Sequence, residues 1–199
     1  MGRPRTVDVQ TIVDAAARVF ERRGYADATL DNIAAEAGIT KPTVYQYVRS
    51  KQHLLEIIVE QVIYPLRFGI QEILQSSAGA PEKLDSYVRM HVRAATQYRV
   101  FYQVVLADQH QLSEVGLRNY VSWARQVDRA TADLLEQGIA AGFVRADIDV
   151  PTMVNLMNST LTSIARWYRP DGRLTPDQIV DEVTKFLQGV LTPASTLPR

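Results

Sequence analysis

The chain has 199 residues, of which 46% are hydrophobic and 22% charged, a composition typical of a soluble globular protein with enough chain for a substantial core. It has no cysteine, and its three histidines lie too far apart to pair at helical spacing, so we expect no disulfide, no thiolate nucleophile, no metal and no cofactor. The formal net charge is zero, no apolar run is long enough for a membrane span, and no secretion signal opens the chain, so we expect a cytoplasmic protein.

The first three predicted elements are helices. An amphipathic helix begins after an N-cap at Thr6 and ends at Gly24, with apolar residues at helical spacing along it. Two short helices follow the caps Thr29 and Thr40. Only a turn containing Gly38 separates these two helices, which is the spacing of a helix-turn-helix.

The rest of the chain also has the periodicity of helices. A longer helix is predicted after Ser50, and Pro65 should kink or break it. Helical spacing of apolar residues then continues almost to the C-terminus, with breaks near 76–81, 108–113 and 169–173. The sequence therefore predicts an all-α fold.

The helix-turn-helix region carries a recognisable motif. Residues 29–51 read TLDNIAAEAGITKPTVYQYVRSK, which closely resembles the DNA-binding segment of the tetracycline-repressor (TetR) family. The match extends over about residues 6–60, and many ordered positions agree. The resemblance implies an all-α transcriptional regulator that binds double-stranded DNA.

The same resemblance implies a domain organisation. Residues 1–52 would form the three-helix DNA-binding domain, with its motif at about 29–48, and residues 53–199 would form a helical ligand-binding and dimerisation domain. The helices near 151–168 and 176–190 resemble the pair that forms a four-helix bundle with the partner subunit. Such a homodimer would read a pseudo-palindromic operator, and repression is the usual outcome in the family.

Individual DNA contacts also follow from the resemblance. Thr29 and Lys51 correspond to phosphate clamps that flank the motif, and Tyr45 and Tyr47 correspond to phosphate contacts of the recognition helix. The residues that fall where family members touch bases or the nearby backbone are Thr40, Lys41, Pro42, Thr43 and Gln46.

Charged residues beside the motif are interpreted in the same way. Arg3 and Arg5 resemble a flexible basic arm that follows the DNA backbone or enters the minor groove. Asp31 lies where some members place a base-reading arginine. An acid at that position can accept from cytosine N4 or can cap the second helix, and the cap is the preferred interpretation.

Aromatic and sulfur-containing side chains in the C-terminal region suggest an apolar ligand cavity. The candidates for its lining are Tyr98, Tyr102, Trp123, Met157 and Trp167, although each alone is more often a plain core residue. Residues 166–176, RWYRPDGRLTP, resemble a segment found in regulators of fatty-acid and sterol catabolism, several of which respond to acyl-coenzyme A thioesters. An acyl-CoA or a related lipid is therefore one expected effector, and an unidentified hydrophobic drug-like or aromatic molecule is the other.

Two other classes of protein are alternatives to this interpretation. An enzyme on an all-helical scaffold is disfavoured because the chain has no cysteine, no glycine-rich phosphate loop and no metal cluster, so no catalytic residue is assigned. A DNA-binding protein without an effector would be indicated if no small molecule altered its DNA affinity. The sequence favours a repressor released from DNA by a small hydrophobic effector.

Overall fold

A computed structural model describes residues 8–193, and all regular secondary structure in that range is helical. The helices are α1 (Val9–Asp27), α2 (Leu30–Ala37), α3 (Lys41–Tyr47), α4 (Lys51–Gln75), α5 (Ala80–Gln97), α6 (Arg99–Asp108), α7 (Glu114–Ala140), α8 (Val150–Trp167) and α9 (Pro176–Leu191), with a short 3-10 helix at Gln109–Gln111. The all-α prediction is confirmed. None of the described helices is long and apolar enough to cross a membrane. The predicted arm residues Arg3 and Arg5 lie outside the described residues.

The chain forms two compact units. The head unit comprises residues 8–62 and Val100–Tyr120, and the body unit comprises Ile63–Arg99 and residues 121–193. The head unit thus contains the helix-turn-helix together with a segment from the middle of the chain. The sequence alone placed the domain boundary after residue 52, whereas the head unit takes in ten further residues of α4 and the later segment.

Hydrogen bonds inside the head unit join this later segment to α4. The Ser113 hydroxyl donates to the Glu56 carboxylate at 2.6 Å, and the Gln52 side-chain amide donates to the Gln111 carbonyl at 3.1 Å. These partners are 57 and 59 positions apart in sequence. Local sequence patterns carry no sign of pairs so widely separated along the chain.

The ends of α1 differ from those predicted. Asp8 is the N-cap, and its carboxylate accepts from the backbone N–H of Gln10 at 3.1 Å. At Gly24 the backbone leaves helical geometry with a φ of 76°, and helix then resumes as far as Asp27. Glycine adopts this left-handed φ without the steric cost of a side chain. The predicted end of the helix therefore corresponds to a break within α1.

The second half of α4 shows how a proline can be accommodated. Pro65 lies inside α4, which continues as a helix to Gln75, so the predicted break at this position is wrong. A proline in a helix removes one backbone donor and crowds the preceding turn. The neighbouring residues Ile63, Leu66 and Ile70 are buried, and this packing holds the helix together despite that cost.

The body unit is built around α5, which packs against α8 and α9. Among its fully buried side chains are Leu134 and Leu135 of α7 and Met157, Leu161 and Ile164 of α8. Burial of one such side chain contributes about 1.5–3 kcal/mol. This apolar core supplies the main stabilisation of the body unit.

A hydrogen-bonded polar group lies within that core. The Tyr87 hydroxyl is 2.6 Å from the Thr131 hydroxyl and donates to the Asn158 side-chain oxygen at 3.1 Å, and the Asn158 amide donates to Asp128 at 2.9 Å. The His91 ring packs on Tyr87 at 4.2 Å between centroids, and burial lowers the pKa of His91 to about 4. Since buried polar groups need partners, this arrangement fixes how α5, α7 and α8 meet.

Candidate nucleic-acid interface

The turn between α2 and α3 is fixed by local hydrogen bonds. Thr29 and Asn32 form a capping box, in which the Thr29 hydroxyl accepts from the Asn32 N–H and the Asn32 side chain accepts from the Thr29 N–H. At the other end Gly38 adopts a left-handed φ of 68°, and its N–H points to the carbonyls of Ala34 and Ala35. The capping box fixes the start of α2, and Gly38 fixes its end and the direction in which the chain enters α3.

One face of α3 is buried and the rest is polar and accessible. Val44 and the C-cap residue Val48 are 0% and 1% exposed and anchor the helix on the head unit. The exposed residues at or within α3 are Thr40, Lys41, Pro42, Tyr45 and Gln46, and Thr43 and Tyr47 are half-buried. The sequence-predicted base and backbone contacts are therefore brought together on one short helix.

Two hydroxyls meet at the start of α3. The Oγ1 atoms of Thr40 and Thr43 lie 2.9 Å apart, so one hydroxyl donates to the other. A hydroxyl carries one proton and two lone pairs. The hydroxyl proton that is not used between Thr40 and Thr43 can therefore be donated to a phosphate or a base. Thr40 occupies the N-cap position without a side-chain bond to the helix backbone.

Lys41, the first residue of α3, is joined to α2 by an ion pair. Its ammonium donates to the Asp31 carboxylate at 2.8 Å, and this hydrogen bond raises the pKa of Lys41. Asp31 lies in the first turn of α2, as the capping interpretation expected, but Thr29 and Asn32 supply the capping hydrogen bonds and the Asp31 carboxylate binds Lys41.

Lys51, the phosphate clamp implied by the resemblance, makes its hydrogen bonds within the protein in this structure. Its ammonium donates to the carbonyls of Tyr25 at 2.6 Å, Ala26 at 3.1 Å and Ala28 at 2.8 Å, and lies 4.3 Å from the centre of the Tyr25 ring. An ammonium has three N–H donors, and all three are used within the protein. Lys51 thus ties α4 to the end of α1 in this structure, and its phosphate contact stays a prediction.

A second ionic cluster connects α1 and α2. The Glu36 carboxylate accepts from the guanidinium groups of both Arg18 and Arg22, and these hydrogen bonds hold the pKa of Glu36 below its usual range. Sequence reasoning assigned no role to these residues. Their only signal was opposite charge on two neighbouring predicted helices, which does not identify partners. Within residues 8–193 no group of three acidic or histidine side chains could hold a metal ion.

The predicted ligand-lining residues are distributed over both units. Tyr102 is buried in the head unit, while Trp123 and Met157 are buried in the body unit. Tyr98 is half-buried and Trp167 is 51% exposed. That these five residues form one lining stays a prediction. Helical periodicity identifies the apolar face of a helix, but it does not say which neighbour covers that face.

A small cavity does occur in the body unit. Its volume is about 30 Å³, and its lining includes Leu84, Val88, Phe143, Leu187 and Leu191. Pockets for drug-sized ligands have volumes of about 300–1,000 Å³. None of the five predicted residues lines this cavity, which holds no more than a very small molecule.

Comparison with known families covers most of the chain. The profile described as "Bacterial regulatory proteins, tetR family" matches residues 12–58, and the profile "Tetracyclin repressor-like, C-terminal domain" matches residues 77–191. The first match contains α2, the turn and α3, and the second contains α5 to α9. The family resemblance drawn from the motif is confirmed.

Individual relatives agree with the family assignment. The HTH-type transcriptional repressor KstR2 of Mycobacterium tuberculosis is 28% identical over 187 residues, covering 91% of each chain. The solved structure of this ketosteroid transcriptional regulator superposes with a TM-score of 0.87 at 25% identity, over 94% of this chain and 97% of that one. AibR, solved with isovaleryl coenzyme A and operator DNA, has the same fold, with a TM-score of 0.77 at 23% identity over 92% and 97% of the two chains. This chain belongs to the TetR family, whose members are DNA-binding transcriptional regulators and not enzymes.

Proposed function

We propose that this protein is a homodimeric repressor that binds a pseudo-palindromic operator and leaves it when a small hydrophobic effector binds. The observation that carries the proposal is the polar, accessible face of α3 above the buried Val44 and Val48. A helix fits the major groove, which is about 12 Å wide, and its N-terminal residues reach base edges. Because the proposed target is operator DNA, the proposed location is the cytoplasm.

The proposed DNA contacts follow the accessible residues. The residues proposed to touch bases or backbone are Thr29, Thr40, Lys41, Pro42, Thr43, Tyr45, Gln46 and Tyr47. Arg3 and Arg5 keep their proposed role as a basic arm. Tyr45 is 54% exposed, so its hydroxyl can reach a phosphate without rearrangement of the core. Lys51 is the proposed second phosphate clamp, and this contact requires its ammonium to exchange one of its three carbonyl partners for a phosphate oxygen.

The proposed dimer surface lies on α8 and α9, at about 151–168 and 176–190. Leu156 on α8 and Phe186 on α9 are 56% and 57% exposed, although both are large and apolar. A two-fold interface uses the same patch on both subunits, and two helices from each subunit make a four-helix bundle. A second copy of the chain would remove both side chains from water.

The dimer surface can be tested by placing charge on it. Leu156→Glu combined with Phe186→Glu should yield monomers in analytical ultracentrifugation. The double variant should also bind the operator more weakly, because a monomer binds only one half-site. Tyr64→Glu, at a residue of α4 that is 70% exposed, is the control and should leave the dimer intact. A double variant that sediments as a dimer would contradict this surface.

The proposed effector is an acyl-CoA thioester or a related lipid. AibR was solved with isovaleryl coenzyme A, and KstR2 is a ketosteroid regulator. In this chain the region from the end of α8 to α9 exposes Trp167 together with Arg166, Arg169 and Arg173. Guanidinium groups bind phosphate oxygens through paired N–H donors, and an indole face can stack on a nucleobase. These side chains suit the nucleotide part of coenzyme A.

Release from DNA is proposed to occur by a shift between two conformations. The effector would favour the state whose recognition helices do not fit one operator. A tenfold loss of occupancy requires only about 1.4 kcal/mol of differential affinity. An acyl chain does not fit the cavity lined by Leu84 and Val88 as it stands, so binding at that cavity would require a more open form of the body unit.

Fluorescence anisotropy tests the whole proposal. The purified protein is bound to DNA from upstream of its own gene and titrated with isovaleryl-CoA, longer acyl-CoA thioesters and the free acids. We expect tight binding that a thioester releases and its acid does not. Replacing Arg166 and Arg173 together by alanine should weaken the response, whereas Arg93→Ala, at an exposed arginine of α5, should not. Binding that no compound alters would favour the effector-independent alternative.

A further inference from the structure

The ion pair between Asp31 and Lys41 spans the turn of the helix-turn-helix. Asp31 lies in the first turn of α2, Lys41 is the first residue of α3, and their charged atoms are 2.8 Å apart. The Asp31 side chain is 63% exposed and that of Lys41 is 44% exposed. Exposed ion pairs contribute little to stability. The position of this pair, at the N-terminal end of the helix proposed to enter the groove, is therefore the informative feature.

The pair presents donors and an acceptor side by side. One of the three N–H groups of the Lys41 ammonium donates to Asp31, so two N–H groups remain. The Asp31 carboxylate still has lone pairs that can accept further hydrogen bonds. The donor and acceptor atoms are 2.8 Å apart. The pair is neutral as a whole, so the carboxylate can approach the phosphate-lined groove without an uncompensated negative charge.

A G·C base pair offers the complementary arrangement. Its major-groove edge presents guanine N7 and O6 as acceptors, followed by the cytosine N4 amino group as a donor. Guanine O6 and cytosine N4 are themselves joined by a Watson–Crick hydrogen bond, about 2.9 Å between heavy atoms. The spacing of the two groups on the base pair thus matches the spacing of the ammonium and the carboxylate on the protein.

We propose that Asp31 and Lys41 together read one G·C base pair in each half-site, with Lys41 donating to guanine N7 and O6 and Asp31 accepting from cytosine N4. A T·A pair has the same order of acceptor and donor, but it places the thymine methyl group where guanine has N7. The second free N–H of Lys41 then has no acceptor. The pair therefore distinguishes G·C from all three alternatives. This inference rests on the proposed placement of α3 in the major groove.

Each residue of the pair can be removed with little change of shape. Asp31→Leu keeps the branched shape of the side chain and removes both acceptor oxygens, and Lys41→Met keeps the aliphatic stem and removes the ammonium. Both should relax the preference at one base pair and leave the rest of the operator motif unchanged. Lys41→Met alone leaves the Asp31 carboxylate unpaired near the phosphates, so the salt test uses the double variant Asp31→Leu with Lys41→Met. Since the pair is neutral and its proposed contact is to bases, this double variant should leave the salt dependence of binding unchanged.

The experiment selects binding sites from a random pool of double-stranded DNA with the full-length wild-type protein and each variant. Competition anisotropy then compares the four base pairs at the affected position. We expect the wild type to prefer G·C by about fivefold or more, and each variant by less than about twofold. Asp85→Asn is the control, because it breaks an exposed ion pair with Arg89 in the body unit and should select the wild-type motif.

Three results would overturn the inference. One is a variant motif with an undiminished preference at every position. Another is a uniform loss of affinity for all sequences by the double variant Asp31→Leu with Lys41→Met together with a salt slope lower by about one, which is the signature of a phosphate contact. The third is that the wild-type protein selects no motif. That result would also contradict the proposed placement of α3 in the major groove, whereas the first two results contradict only the reading of the G·C pair.

Discussion

Polar side chains are placed differently in α3 of the head unit and in the core of the body unit. In the head unit, α3 keeps only Val44 fully buried, and Lys41, Tyr45 and Gln46 are exposed. In the body unit, Tyr87 and His91 are buried and hydrogen-bonded inside the core. The first arrangement is a surface ready to meet a polar partner, whereas the second is a closed interior.

The difference has a consequence for how each unit can work. A surface that is already exposed can bind a rigid, charged partner such as DNA without reorganisation. A closed core must open before it can admit a ligand, so part of the binding free energy is used for that opening. The predictions that follow test whether the head is as accessible, and the body as closed, as this comparison states.

The largest expected effect is on Met157, which is fully buried in the body unit. Met157→Ala removes packed core atoms and leaves a cavity, so the free energy of unfolding in urea should fall by about 2–5 kcal/mol. Trp167→Ala, at a 51% exposed residue of the same helix, is the control and should change it by less than about 0.5 kcal/mol. A stable Met157→Ala protein that has lost its effector response would instead identify Met157 as part of an open pocket.

The buried His91 should make the stability depend on pH. Its pKa falls from 6.5 to about 4 on folding because burial disfavours the imidazolium, so between these values the unfolded chain binds a proton that the folded chain does not. The free energy of unfolding is therefore unaffected by His91 protonation above pH 6.5. As the pH falls from 6.5 towards 4, it decreases by on the order of 3 kcal/mol. Urea unfolding at several pH values should show a shallower acid loss for His91→Gln than for the wild type.

The matched control for this prediction is His110→Gln, at an exposed histidine of the head unit. It should keep the pH dependence of the wild type. Identical curves for His91→Gln and the wild type would mean that the body core admits water or protons to His91, and the contrast between the two units would then be smaller than described.

Lys51→Met should separate a role in stability from a role in DNA binding. The variant loses three hydrogen bonds from an ammonium group, so we expect the free energy of unfolding to fall by about 1–3 kcal/mol. The salt slope of operator binding should also fall by about one, because the proposed phosphate contact is lost. An unchanged slope would mean that the Lys51 ammonium contacts no phosphate and acts only within the protein. Lys185→Met, which breaks an exposed pair with Glu182, is the control for stability.

The smallest predicted loss of stability concerns the left-handed glycines. Gly38→Ala and Gly142→Ala place a side chain at φ values of 68° and 71°, and each should cost about 1–2 kcal/mol in thermal or urea unfolding. Only Gly38→Ala should also weaken operator binding, because Gly38 precedes the recognition helix. Equal effects of both variants on DNA affinity would mean that the turn does not aim α3.

The sequence predicted those features that short stretches of chain determine. The cap at Thr29, the turn at Gly38 and the buried Val44 all depend on neighbours within a few positions, and each is found as expected. The ion pair of Asp31 with Lys41 was not predicted, because it depends on how the turn folds back. The carbonyl partners of Lys51 were not predicted either, because they lie 23 to 26 positions earlier in the chain.

The ligand candidates illustrate the same limit more strongly. Tyr102 and Met157 both lie on apolar helix faces, as periodicity indicates, yet they belong to different compact units. Trp167 ends α8 and remains exposed although it is apolar. Packing between distant helices decided these outcomes, and no local pattern encodes it.

The composition of the head unit also bears on the engineering of chimeric regulators. A DNA-binding module cut after residue 52 would leave behind Glu56 and Ser113, which are joined at 2.6 Å, and would separate Gln52 from the Gln111 carbonyl. Grafting the operator preference of this protein onto another ligand-binding scaffold therefore requires the transfer of two stretches, 8–62 and 100–120, rather than one. The transplantable module is discontinuous, so a successful graft has to preserve two junctions in the recipient in addition to the usual N-terminal fusion.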